Sequence, residues 1–244
     1  MPFKGKRNVI YGARQVGKTT LVKNLLNKTS LRWKYLPGED IRVQEILSSM
    51  ELKKLKELVE GYSLIVVDEA QYVTEIGLTA KMIVDYVPEV KLILTGSSSF
   101  ELKGQLGEPL TGRKFTIELF PVSLLELRKK YNLFELSERL NEFLVYGMYP
   151  KVLEIPKEEK IYYLNEIIVS YLLKDILTFE KIKNSKTLFN LLYLLAYQLG
   201  KEVSLNELAQ QLHINVSRLK DTWTFWIRHT LYSSLNHLRK VCVM

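Results

Sequence analysis

The chain has 244 residues, of which 47% are apolar and 25% charged: long enough to bury a full core, and too apolar for global disorder. Its single cysteine, Cys242, excludes an intrachain disulfide, and with three histidines in all the sequence argues against a structural zinc site. The formal charge of +8 permits a polyanionic partner without identifying one.

Residues 7–11 read as a short strand centred on Val9 and Ile10, broken by Gly12. A helix is predicted from Lys18, with Leu21, Val22, Leu25 and Leu26 on one face. Residues 33–36 form a second strand, stopped by Pro37 and Gly38. Residues 52–59 have helical spacing and end at Gly61. Residues 64–67, Leu-Ile-Val-Val, are an unbroken aliphatic run, the pattern of a strand buried on both faces. A helix over 78–86 and a third buried strand over 91–94 follow. Strands alternating with helices predict an α/β fold, a parallel sheet with helices on both faces. This first domain is expected to span 1–119. Phe120-Pro121 marks a junction, after which the pattern turns helical. A helical lid or linker is expected over 120–183 and an all-α helix-turn-helix module over 184–244.

The start of the chain leaves no room for an apolar signal core before Arg7. The longest apolar stretch, 188–199, is interrupted by Asn190 and Gln198 and is shorter than the ~20 residues a membrane span needs. The expectation is a cytoplasmic protein with no membrane partner.

Gly12-Ala13-Arg14-Gln15-Val16-Gly17-Lys18-Thr19 matches G-x-x-x-x-G-K-[ST] in full, between a predicted strand and a predicted helix. Glycines let the backbone curl so that successive N–H groups face phosphate oxygens, and the helix N-terminus adds partial positive charge. Residues Gly12 to Thr20 are therefore the expected ATP-binding segment. Lys18 would neutralise the β- and γ-phosphates, and Thr19 would ligate Mg²⁺.

The 64–67 strand runs straight into Asp68-Glu69. Two acids at the C-terminal edge of a buried strand lie where ligands bind in open α/β sheets. Asp68 fits the Mg²⁺-holding acid, and Glu69 a general base that orients attacking water. The third strand ends in Thr95-Gly96-Ser97-Ser98-Ser99. Its hydroxyls, Thr95 ahead of the serines, are candidates to sense the γ-phosphate; helix capping by a Ser-rich turn is the plainer alternative.

These features resemble the AAA-like P-loop ATPases with an added catalytic-glutamate strand. They are more closely similar to the AAA domain proteins of bacteria and archaea described only as ATP-binding proteins or predicted ATPases. Asp68-Glu69-Ala70-Gln71, the Gly-Ser-Ser after the third strand, Leu110-Thr111-Gly112-Arg113 leading into Leu119-Phe120-Pro121-Val122-Ser123, and Tyr146-Gly147-Met148-Tyr149-Pro150 carry the closer likeness, over roughly 7–215. The resemblance implies that Arg113 is a trans-acting or sensor arginine stabilising the transition state; the trans-acting use would require a homo-oligomer. Asp175 is a weaker candidate, better read as an exposed helical acid.

In the last third, 188–199 is a predicted helix stopped by Gly200. Ser204 and Glu207 have capping-box spacing, and Leu205, Leu208, Ala209 and Leu212 share one face. A turn at 213–215 and a second helix with Arg218, Lys220 and Trp223 complete a helix-turn-helix layout, whose second helix would enter a major groove of duplex DNA. Arg218, Lys220, Arg228, Arg239 and Lys240 against Asp221 make this end basic. Such tri-helical modules also serve as packing or partner-binding domains. In the family the second helix leads through a Tyr- and Leu-rich stretch and a β-wing to a nuclease-like α/β domain. Here the residues after Lys220 depart from that pattern, so a truncated or frame-disrupted product is expected.

The expected function is a Mg²⁺-dependent ATPase that couples hydrolysis to conformational change. The alternative is a nucleotide-gated DNA-binding or regulatory protein with little turnover. A small-molecule kinase ranks below both, because no arginine-rich lid cluster follows the loop.

Overall fold

A computed structural model of the chain describes residues 7–97, 115–169, 185–198, 203–217 and 219–220. The expectations for Ser98, Ser99, Leu110 to Arg113, Asp175, Gly200, Arg218 and everything after Lys220 lie outside these residues. The chain divides into two compact units, Met1–Glu154 and Ile155–Met244.

The first unit is built on five parallel strands: β1 (Arg7–Gly12), β2 (Trp33–Pro37), β3 (Leu64–Asp68), β4 (Lys91–Ser97) and β5 (Phe115–Leu119), in the spatial order β2-β3-β4-β1-β5. Between them run α1 (Lys18–Leu26), α2 (Ile41–Ser48), α3 (Leu52–Val59) and α4 (Ile76–Tyr86). Strand β4 lies between β1 and β3, so a strand separates the glycine-rich loop from the acidic pair, as the resemblance implied.

Alternation along the strands splits the core in two. Ile65, Val67, Leu92 and Leu94 pack with Val43 and Leu47 of α2, Leu55 and Val59 of α3, and Ile76, Ala80 and Ile83 of α4. Ile10, Val66 and Ile93 face the other way, against Val22 and Leu26 of α1. Helices cover both faces, and every residue of β3 is buried. That is why β3 reads as a continuous aliphatic run.

Two elements add to the sequence reading. Helix α2 starts at an N-cap, Asp40, whose carboxylate accepts from the Arg42 N–H at 2.9 Å. Strand β5 pairs with β1 from Asn8 to Gly12, up to the point where the loop leaves the sheet. After β5 come four short helices, α5 (Leu124–Leu127), α6 (Leu133–Glu138), α7 (Leu140–Tyr146) and α8 (Pro150–Glu154). Ser123 with Glu126 and Asn132 with Glu135 form reciprocal capping boxes at α5 and α6. Leu127, Leu136 and Phe143 make a small core beneath them.

In the second unit lie α9 (Lys157–Ile167), α10 (Ser185–Tyr197) and α11 (Leu205–Gln211). The Ser204 hydroxyl caps α11 by accepting from the Glu207 N–H at 3.4 Å. His213, at φ 52°, turns the chain, and residues 216, 217, 219 and 220 are helical again. Leu191, Leu208, Ala209 and Leu219 are the buried centre of this unit. No helix among the described residues is long and apolar enough to cross a membrane.

Candidate active site

The C-terminal ends of β1, β3 and β4 bring three pieces of sequence together. The first is the loop from Gly12 to Gly17. Gly12 pairs in register with Leu119 of β5 and Ser97 of β4. A Cβ on Gly12 would lie 2.1 Å from the Leu119 carbonyl oxygen, so the turn out of β1 admits no side chain there. Gln15 at φ 65° and Gly17 at φ 95° curl the loop back to the start of α1. Gly17 is the N-cap and has no side chain to occupy the first-turn N–H groups, and no acid sits in that turn. An uncapped helix start of this kind suits an anion.

Lys18 is the first residue of α1 and is 4% exposed. Its ammonium donates to the carbonyls of Gly12 at 3.1 Å and Ala13 at 2.9 Å. Burial pushes its pKa down. Glu69 pulls it back up, Arg14 adds to the depression, and Asp68 opposes it. A desolvated cation at an uncapped helix start is a place for an anion to dock.

The acids form the second piece. Asp68 ends β3 and is 5% exposed. Three hydroxyls from three elements donate to its carboxylate: Thr19 of α1 to Oδ2 at 2.8 Å, Tyr35 of β2 to the same oxygen, and Thr95 of β4 to Oδ1. Burial, and then the bond to Asp68, raises the Tyr35 phenol above its ordinary pKa. Glu69 follows in the left-handed region at φ 51°, a conformation a non-glycine residue adopts at some cost. Its N–H donates to Thr95 Oγ1 at 3.0 Å, and its side chain stays half-exposed.

The third piece is the end of β4. Fully buried Thr95 uses its one hydroxyl twice, donating to Asp68 and accepting from the Glu69 N–H. It therefore fixes both acids at once. Ser97 lies two residues on, beside the loop's first glycine.

The donor set around Thr19 and Asp68 is two oxygen groups with one negative charge, 2.8 Å apart. Mg²⁺ takes oxygen ligands, keeps several waters, and is held by one or two carboxylates together with substrate phosphates. The pair fits that role. Among the described residues no group of three or more His, Cys, Asp or Glu side chains is placed to cage a metal by itself. Metal retention here would depend on the phosphates.

The structure thus draws Gly12 to Thr20, Asp68, Glu69 and Thr95 into one place, while Arg113 lies outside the described residues. It also brings in residues to which sequence reasoning gave no role. Tyr35 reaches Asp68 from 33 positions away. Gly38 sits against the acids' backbone, its N–H donating to the Asp68 carbonyl at 2.7 Å. Gln71 donates from Nε2 to Glu69 Oε2 and accepts at Oε1 from the Ser97 N–H at 3.3 Å. A tyrosine and a Pro-Gly step at the tip of a strand were the available signals for the first two. Pro150 approaches the loop as well, its Cγ 3.9 Å from where a Gly17 Cβ would stand.

A family model described as an AAA domain matches residues 4–128, just over half of the chain. A second, described only as a domain of unknown function, matches residues 137–238 and so continues past Lys220, where a departure from the family was expected. An uncharacterized protein of Methanocaldococcus jannaschii is 28% identical over 222 residues, covering 85% of this chain and 50% of its own length. The chain spans about half the length of that curated relative. Among solved structures, a Walker-type ATPase of Pyrococcus abyssi superimposes with a TM-score of 0.42 at 15% identity, over 70% of this chain and 71% of that one.

Proposed function

The chain belongs to the AAA domain family, and from that membership and the geometry of the site we propose that it is a Mg²⁺-dependent ATPase. The observation that carries the reading is the division of labour between two adjacent acids. Asp68 is buried and bound by three hydroxyls, whereas Glu69 is half-exposed and, with burial pushing the Lys18 pKa down, is the first of the charges that raise it. One acid is built to stay put beside a cation; the next is left able to touch water.

In this reading the loop N–H groups from Ala13 to Thr19 and the start of α1 bind the triphosphate. Lys18 exchanges its bonds to the Gly12 and Ala13 carbonyls for phosphate oxygens, which relieves the burial of its charge. Thr19 and Asp68 would hold Mg²⁺, which supplies charge neutralisation at the phosphates when bound. Glu69 orients a water toward the γ-phosphate and accepts its proton. Thr95 keeps Glu69 at a fixed distance from Asp68 through its shared hydroxyl. Arg113 would stabilise the transition state from a neighbouring copy. Turnover would be coupled to movement of the helical region that follows, with duplex DNA a candidate partner of the helices around residues 205–220.

Phosphate release measured with ATP and Mg²⁺ tests this, with wild type beside Lys18→Ala and Glu69→Gln, with and without duplex DNA. Turnover in the wild type, lost in both variants, with ATP binding retained only in Glu69→Gln, is expected. ATP binding without turnover in the wild type would favour the nucleotide-gated binder. Neither binding nor turnover would refute both.

A further inference from the structure

We propose that Gln71 is a positioning residue for Glu69, tying the aim of that carboxylate to the end of β4 beside the phosphate-binding loop. The inference rests on the ATPase reading above. The backbone of Glu69 is already fixed by its N–H on Thr95. That bond leaves the side-chain torsions of Glu69 undetermined. Gln71, in the 3₁₀ turn Ala70–Tyr72 that follows, takes up the remaining freedom. Its Nε2 donates to Glu69 Oε2, and its Oε1 accepts from the Ser97 N–H at 3.3 Å.

The two bonds assign each other. With the amide turned over, its oxygen would face a carboxylate oxygen and its NH₂ would face an N–H, so both contacts would become repulsive. A carboxamide is also the group that can satisfy both neighbours together. A carboxylate accepts from Ser97 and cannot donate to Glu69; an ammonium donates and cannot accept; a thioether does neither to any useful degree.

The far end of the bridge matters for function. Ser97 pairs with Gly12 across β4 and β1, and Gly12 is where the loop leaves the sheet. One amide therefore joins the water-directing carboxylate to the strand pair that carries the loop. A change in loop position on phosphate binding reaches Glu69 through three contiguous contacts: the β1–β4 ladder, the Ser97 N–H and the Gln71 amide. The packed sheet makes this path stiff, and a shift of ~1 Å at a reacting group is enough to change rate by ~10²-fold.

Two variants separate this role from a purely structural one. Gln71→Glu keeps the acceptor for Ser97 and places a like charge against Glu69; Gln71→Met keeps the length and removes both bonds. The measurements are kcat and KM for Mg-ATP, affinity for a non-hydrolysed ATP analogue, and the melting temperature, alongside wild type and Glu69→Gln. We expect kcat to fall roughly 10- to 100-fold in both variants, with analogue affinity within about twofold of wild type and the melting temperature within a few degrees, as for loss of one half-exposed hydrogen-bonding group. An active wild type with unchanged kcat in both variants would overturn the role of Gln71 and leave the ATPase reading standing. Parallel losses of affinity, melting temperature and kcat would overturn it as well, by making Gln71 a structural residue. A wild type without turnover would overturn the ATPase reading and this inference with it.

Discussion

Replacing Gly38 by Ala isolates a single backbone approach. Gly38 follows β2 and lies against the peptide groups of both acids. A Cβ there would stand 2.6 Å from the Glu69 carbonyl oxygen, 2.8 Å from that of Asp68 and 3.1 Å from the Glu69 carbonyl carbon. Comfortable separation is about 3.5 Å, so relief requires movement of half to one ångström, roughly, by backbone that cannot rotate away. Asp68 cannot move freely, since its carbonyl accepts from the Gly38 N–H at 2.7 Å and its carboxylate from three hydroxyls. The unfolded state pulls the other way. Gly38 is not among the residues with positive φ, so Ala is conformationally allowed and would gain about 0.4–1 kcal/mol from lost unfolded-state entropy. Overpacking at about 1–3 kcal/mol outweighs that gain. The net destabilisation of about 0.5–2 kcal/mol lowers the melting temperature by roughly 1–8 °C for a chain of this size. Displacing Glu69 by the same movement lowers kcat roughly 10- to 100-fold. Thermal denaturation followed by circular dichroism reads the first effect and phosphate release the second. A Gly38→Ala protein that melts at or above the wild-type temperature with full turnover would refute the claim that the tip of β2 sets the position of the acids.

Thr95→Val preserves shape and removes the hydroxyl that serves Asp68 and the Glu69 N–H; chemical denaturation should register a loss of about 1–3 kcal/mol from the unsatisfied buried groups, and kcat should fall with it. Lys18→Met removes a desolvated ammonium from the nucleotide-free protein, so its stability should rise by about 0.5–2 kcal/mol while ATP binding is abolished; a lower melting temperature would contradict the burial argument. Asp40 at the start of α2 has its pKa drawn down to about 2, first by the Arg42 side chain and then by the Arg42 N–H. Because the folded pKa lies below the unfolded value of 3.8, its contribution is present above about pH 4 and is lost as pH falls toward 2. Asp40→Asn should keep the cap and lose that part of the acid sensitivity, as shown by comparing wild-type and variant melting temperatures between pH 5 and pH 2.5, roughly.

What could be read from the chain follows from how each residue is surrounded. Strands β3 and β4 were legible because they are covered on both faces, so their cores, Leu64 to Val67 and Leu92 to Leu94, are continuous aliphatic runs, whereas β1 was legible from Val9 and Ile10 and the glycine that ends it. β5, Phe-Thr-Ile-Glu-Leu, lies at the sheet edge, with Phe115 exposed and the rest half-buried, and its alternation is too short to stand out. Helix α2 carries a weak signal for a related reason: it buries only Val43 and Leu47, and Ile41 at its start faces solvent. The phosphate-binding loop and the Asp-Glu pair were legible because each is contiguous, and its chemistry depends on neighbours in sequence. Tyr35, Gly38 and Gln71 were not, because their roles arise from register. Pro37 pairs with Asp68 and Gly12 with Ser97, matches that no spacing rule encodes before strand order is known. In a parallel sheet all C-terminal strand ends gather at one edge, so residues that meet the ligand come from one or two of them and residues that hold those in place come from the others. A sequence motif finds the first group. Once the order β2-β3-β4-β1-β5 is fixed, the second group is found by asking what stands at the tip of each neighbouring strand. A glycine where β2 ends and a glutamine bridging to the last residue of β4 are the answers that order returns, and neither has a function until β3 is placed between them.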